Sequence, residues 1–173
     1  MTETETTGNM MTALFRNRED ADKAYQELLD RGFTSDQISV LMSEEARARY
    51  SGTKVEHGSK ALEGTGAGAA IGGTLGAIIG ALAALGTSVV LPGLGLVVAG
   101  PLVAALAGAG AGGATGGLVG ALIGSGIPED TIRHYESGLR EGSIVLGFKP
   151  RSVAEAEEVE KVWQSNNAEH IYR

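Results

Sequence analysis

Polar and apolar positions follow helix and strand spacings in the first part of the chain. The apolar runs at residues 11–15 and 38–42 predict two strands. A helix is predicted between them, because its apolar residues fall on one stripe with i, i+3, i+4, i+7, i+8 spacing. These residues are Ala21, Ala24, Tyr25, Leu28 and Leu29. Asn17 is suited to cap this helix and Gly32 to end it.

The last part of the chain has a similar pattern. Pro128 is placed to begin a helix, and residues 143–148 predict a strand. Ser152 and Glu155 form a capping box before a last helix, and residues 170–172 can close a fourth strand. Two such β-α-β units predict an α+β fold: a ferredoxin-like split βαβ domain, with a four-stranded sheet and helices on one face.

Between these parts lies an uncharged stretch of 65 residues, from Gly64 to Pro128, which holds 20 of the 27 glycines. Glycine recurs at every fourth position in two blocks. The blocks are Gly64, Gly68, Gly72, Gly76, Gly80 and Gly108, Gly112, Gly116, Gly120, Gly124. The blocks mirror each other about Leu94, which lies in turn-forming sequence. This symmetry predicts a long Gly/Ala-rich antiparallel helical hairpin that interrupts the domain, with its two glycine faces packed together.

Larger apolar residues follow a second face of the first predicted helix. They are Ile71, Leu75, Ile78, Leu82 and Leu85. We expect this face to contact lipid or a protein partner. Helices over 63–86 and 101–124 would each be about 36 Å long, against a bilayer core of about 30 Å. The pattern leaves three alternatives open: a hairpin in a bilayer, the interior of an oligomer, and a disordered linker.

These patterns divide the chain into five segments. Residues 1–9 are predicted to be a disordered tail, 10–50 the first half of the domain and 51–63 a polar linker. Residues 64–126 form the predicted hairpin and 127–173 the second half. The acidic N-terminus has no apolar core of a signal peptide. Because a hairpin returns to its starting side, both halves and both termini are expected on one side of any membrane.

Composition excludes several classes of function. The net charge of −7 argues against nucleic-acid binding, which requires an excess of Lys and Arg. The absence of cysteine removes disulfides and thiolate metal sites, which fits a reducing cytoplasm. Residues 108–113 match GxGxxG formally, but they lie within the glycine spacing and lack the strand and acidic residue of a dinucleotide site.

No active site is predicted. His57, His134 and His170 lack metal-ligand spacing, so we interpret them as solvated or partly packed, with a pH-sensitive contact as the alternative. The acidic residues at 155–160 are interpreted as a solvated face, with a cation or basic-partner site as the alternative. We therefore predict no catalytic, cofactor-binding or metal-binding residues, no small-molecule substrate and no enzyme activity.

Three segments resemble a known family. They are Ala13–Ala21 (ALFRNREDA), Leu29–Phe33 (LDRGF) and Ile38–Ser43 (ISVLMS). Together they resemble bacterial general-stress and heat- or low-temperature-induced proteins of the YflT type. The Gly/Ala stretch followed by Gly126-Ile127-Pro128-Glu129 is similar to the longer members of that family. The resemblance implies a stress-associated, non-enzymatic bacterial protein and supplies no catalytic residues.

Two functions are therefore expected. In the first, the hairpin inserts into the cytoplasmic membrane, both termini stay in the cytoplasm, and zipper contacts drive homo-oligomerisation. In the second, the chain is a cytoplasmic self-assembling protein, a shell, ring or filament, whose hairpins form the apolar interior. Its partners would be other copies of itself, and lipid in the first case.

Overall fold

The computed structural model describes residues 10–52, 78, 89–91, 95–108 and 114–173. Its strands are β1 (Met11–Phe15), β2 (Ile38–Ser43), β3 (Val89–Leu91), β4 (Leu96–Ala99), β5 (Ile144–Phe148) and β6 (Glu169–Tyr172). Its helices are α1 (Arg18–Asp30), α2 (Glu44–Gly52), α3 (Pro101–Gly108), α4 (Ala114–Gly124), α5 (Glu129–Arg140) and α6 (Val153–Ser165). A 3-10 turn, Ser35–Gln37, leads into β2.

The strands form one antiparallel sheet in the order β3-β4-β2-β5-β1-β6. β5, from the second half of the chain, pairs with both β1 and β2 from the first half. The two halves therefore share one sheet, and the predicted α+β class is confirmed. The two predicted helix N-caps form. The Asn17 side chain accepts a hydrogen bond from the Asp20 amide, and the Ser152 hydroxyl accepts one from the Glu155 amide.

The prediction of helices on one face only is wrong. Met11, Ala13 and Phe15 of β1 pack with α1 and α6, whereas Leu14 packs on the opposite face with α5. Leu102 of α3 and two leucines of α4 join that second layer. Continuous runs without polar residues, such as Ile144–Phe148 in β5, are typical of strands that are buried on both faces of a sheet. This pattern favours helical layers on both sides of the sheet.

Two strands lie where the helical hairpin was predicted. β3 and β4 pair antiparallel, with Leu91 opposite Leu96, so the chain reverses between them. The predicted reversal of the chain therefore falls between β3 and β4. It connects two strands and not two helices. Val89 and Val90 in β3, and Val97 and Val98 in β4, explain the difference, because β-branched residues favour strands.

The second predicted helix, 101–124, is also not continuous. α3 and α4 pack against each other, which two ends of one straight helix cannot do. β4 leads into α3 through Gly100, at φ +81°, where an added Cβ would meet the Ile38 carbonyl. The buried Ser39 hydroxyl then accepts the Leu102 amide at 3.3 Å in the first turn of α3. The α3–α4 pair is thereby held against the sheet.

Candidate functional site

The predicted packing glycines divide into two groups. Gly64, Gly68, Gly72, Gly76, Gly80 and Gly112 lie outside the described residues, as do Ile71, Leu75, Leu82 and Leu85. Gly108 ends α3, and Gly116, Gly120 and Gly124 lie in α4. Gly120 and Gly124 are exposed, and no described atom lies within 4 Å of a Cβ built on either one. Their predicted partners, Gly68 and Gly64, are outside the described ranges, so that pairing stays a prediction.

Ile78 was predicted to face lipid or a partner, and it is instead buried in the chain's own core. Its side chain is 1% exposed and packs in the cluster between the sheet, α1 and α6. Mirror symmetry about Leu94 would put Ile78 beside the end of α3. However, α3 packs on the other face of the sheet, with Leu102 in the opposite cluster. Ile78 and Leu102 therefore lie in clusters on opposite faces of the sheet.

A buried carboxylate holds Ile78 in this position. Asp22 of α1 is 1% exposed, and its Oδ1 accepts the Ile78 amide at 3.2 Å. Its Oδ2 accepts Arg18 Nε at 3.1 Å. Arg18 also donates to the Tyr50 carbonyl and lies over the Tyr50 ring. A charge-assisted network of this kind connects α1, α2 and Ile78. No periodic pattern in the sequence indicates it.

The outward surface of α3 and α4 carries no charge. We name it the apolar face and define it by the exposed residues Pro101, Ala104, Gly120, Ile123 and Gly124. Ile123 is 49% exposed, as one of two large apolar residues with high exposure in the described part of the chain. Large contiguous apolar surfaces on folded domains mark interaction sites, so this uncharged face is a candidate contact surface. The side-chain-free positions at Gly120 and Gly124 would let another backbone approach closely.

A second cluster lies between α5 and β6. The rings of His134 and His170 are stacked, with centroids 4.0 Å apart and planes inclined by 6°. The Tyr135 hydroxyl donates to the His170 carbonyl and bonds with Thr12 Oγ1, both at 2.8 Å. We name this cluster the histidine joint. Burial raises the pKa of Tyr135 far above its ordinary value, so the phenol stays protonated.

Arg16 organises the charges beside the histidine joint. Its Nε contacts both carboxylate oxygens of Glu169, at 2.8 and 2.9 Å, and its Nη1 contacts Glu141 at 3.1 Å. The hydrogen bond from Arg16 holds the pKa of Glu169 below its usual value. His134 and His170 are 36 positions apart in the sequence, and the packing of α5 on β6 brings them together. Their spacing in the sequence therefore does not predict the contact.

Within the described ranges, no group of three or more His, Asp or Glu side chains is arranged to hold a metal ion. None of the helices described above combines the length and the hydropathy needed to cross a bilayer. Glu157 and Glu160, from the acidic run on α6, form ion pairs with Arg173.

Comparison with family models, with curated proteins and with solved structures gives no match for this chain. The resemblance to stress-induced proteins of the YflT type therefore stays a prediction.

Proposed function

We propose that this chain is a non-enzymatic, stress-associated bacterial protein that self-assembles, and that its apolar face packs on the same face of a second copy. The assignment to stress proteins rests on the sequence resemblance. We also propose that β2, β5, β1 and β6, with α1 and α6 on one side, form a ferredoxin-like split βαβ domain. The antiparallel order of these four strands supports that assignment.

The apolar face carries the proposal of self-assembly. Ile123 is half exposed between Gly120 and Gly124, and no charged residue occurs in α3 or α4. A water-exposed surface of this composition is unfavourable unless another surface covers it.

A second copy fits the geometry of this face. In a two-fold contact each chain offers the same patch, so the glycines of one α4 would lie against those of its partner. Close approach of the two helices gains dispersion and weak Cα–H···O contacts. In this proposal the mirror-related glycine pattern serves contacts between chains, and the assembly is cytoplasmic.

Analytical ultracentrifugation of the full chain in detergent-free buffer tests the proposal. We expect a mass that is a multiple of 17.7 kDa. Ile123→Glu should shift the distribution to the monomer, because a charge at the contact must be desolvated. Val153→Glu is the matched control, since Val153 is also 49% exposed but lies on α6. A monomeric wild type, or equal behaviour of the two variants, would contradict self-assembly through this face.

Membrane insertion is the second candidate, supported by the 65 consecutive uncharged residues. In this form the Gly-rich stretch would leave the sheet, where β4 pairs with β2, and enter the cytoplasmic membrane. Both halves of the domain would stay in the cytoplasm. Their shared sheet supports a common side, because β5 pairs with β1 and β2. Washing bacterial membranes with alkaline carbonate distinguishes the candidates: an inserted chain stays in the pellet, and a soluble assembly is released.

A further inference from the structure

We propose that the histidine joint is a pH-sensitive switch that releases β6 from α5 when both imidazoles are protonated. The proposal uses other residues than the apolar face and stands whether or not the chain self-assembles. It starts from the stacked rings of His134 and His170, whose centroids are 4.0 Å apart. Neutral rings pack favourably at this distance, whereas two imidazolium cations repel each other.

The charged groups around the joint compensate poorly for the positive charge of a second protonated imidazole. Glu169, beside His170, has both carboxylate oxygens engaged by Arg16 Nε, and Glu141 on α5 contacts the same guanidinium. Arg16 itself adds a positive charge at the end of β1. On α5, the neighbours of His134 in sequence are Asp130, Arg133 and Glu136, of mixed sign. The carboxylates of Glu169 and Glu141 are already paired with Arg16. They therefore compensate poorly for two positive charges in the stack.

The strand that the joint holds, β6, lies at the edge of the sheet. Its register with β1 is irregular between Thr12 and Leu14. His170 has φ +49°, a backbone conformation that is unfavourable for non-glycine residues. Its carbonyl is held by the Tyr135 hydroxyl. The other contacts of β6 include the ion pair of Glu169 with Arg16 and the packing of Ile171 and Tyr172. Loss of the stack would thus remove one of several contacts that hold this edge strand.

The direction of the pH effect follows from the surroundings of His170. Burial, and then the charge of His134, lower the pKa of His170 below the ordinary histidine value of about 6.5. The folded joint therefore binds protons less readily than the released strand. Its contribution to stability is complete above about pH 6.5, and it is lost as the pH falls from there toward the lowered pKa.

Release of β6 would change the surface of the domain. The outer edge of β1 would become an open strand edge, and such an edge can pair with a strand from another chain. Ile171 and Tyr172, which pack against the two opposite cores, would be withdrawn at the same time. The switch thus moves the edge of the sheet from β6 at neutral pH to β1 in acid.

Amide hydrogen exchange of the full chain, followed by NMR from pH 7.5 to 5.5, tests this switch. After correction for intrinsic exchange, the opening of β6 and of the outer amides of β1 should increase below about pH 6.5, by up to tenfold per pH unit for each proton bound. Amides of β2 and β5 should keep their protection. Equal loss of protection in all strands, or none in β6, would contradict the proposal.

Variants separate the switch from general acid sensitivity. His170→Asn should abolish the pH dependence of β6 opening, and asparagine tolerates the positive φ at position 170. His134→Gln should weaken this dependence without abolishing it, because burial still lowers the pKa of His170. His57→Gln removes the remaining histidine and should leave the dependence unchanged. Fluorescence of the single tryptophan, Trp163, reports whether each variant is folded. If folded His134→Gln retains the wild-type pH dependence, the histidine pair is not the switch.

Discussion

Gly138 and Gly120 lie on helices that pack together, yet they have opposite surroundings. A Cβ added at Gly138 would lie 2.7 Å from Leu14 Cδ1, and Leu14 is buried beneath α5. The same addition at Gly120 meets no described atom. The glycine at 138 is therefore required by close packing, whereas the glycine at 120 leaves an open surface that the folded domain itself does not use.

This contrast predicts opposite effects on stability. Gly138→Ala should lower the free energy of unfolding by about 1–3 kcal/mol, because Leu14 cannot move freely in a packed core. Gly120→Ala should raise it by up to about 1 kcal/mol, since alanine favours the helix. Urea denaturation followed by Trp163 fluorescence measures both changes. A shift of the same sign in the two variants would contradict the described packing.

The Tyr135 hydroxyl makes two specific hydrogen bonds. It links the buried Thr12 hydroxyl to the His170 carbonyl. Tyr135→Phe should therefore reduce the free energy of unfolding by about 1–3 kcal/mol, the cost of unpaired buried polar groups. In the double variant Thr12→Val with Tyr135→Phe, the combined loss should be smaller than the sum of the single losses. Strict additivity in urea denaturation would show that the two hydroxyls are not coupled.

Among the elements, α1 connects the sheet to the Gly-rich region through Asp22. Asp22→Ala removes the acceptor of the Ile78 amide and leaves Arg18, which is largely buried, without this carboxylate. We expect a loss of about 1–3 kcal/mol in the free energy of unfolding. Asp30→Ala is the control on the same helix, because Asp30 is exposed and accepts only the Gln26 side chain among the contacts described. Equal losses would show that Asp22 does not fasten Ile78.

Elements were predictable where local pattern and tertiary packing agree. The runs at 11–15 and 38–42 and the caps Asn17 and Ser152 gave the correct strands and helix starts. β3 and β4 were missed because the glycine spacing around them is helical, although Val89-Val90 favours a strand. The glycine repeat favours a helix here, whereas the short β-branched runs favour strands. Pairing of β4 with β2 favours the strands, and the pattern of one sequence does not show which strands pair.

At the scale of the whole molecule, the sheet joins the two charged halves, and the helical layers cover both its faces. The uncharged character of the apolar face was predictable, because no charge occurs between Gly64 and Pro128. Its orientation was not, since it depends on how α3 and α4 fold back on each other. The histidine joint was also unpredictable, because His170 reaches His134 only through the pairing of β6 with β1.

The most direct test of self-assembly through the apolar face is oxidative cross-linking of Gly120→Cys. The chain has no natural cysteine, and the position has open space for the new side chain. In a two-fold contact, the two introduced thiols would approach across the α4 helices of neighbouring chains. We predict a covalent dimer on a non-reducing gel for Gly120→Cys and none for Val153→Cys. A folded Gly120→Cys variant that stays monomeric, or cross-links no better than Val153→Cys, would contradict the account.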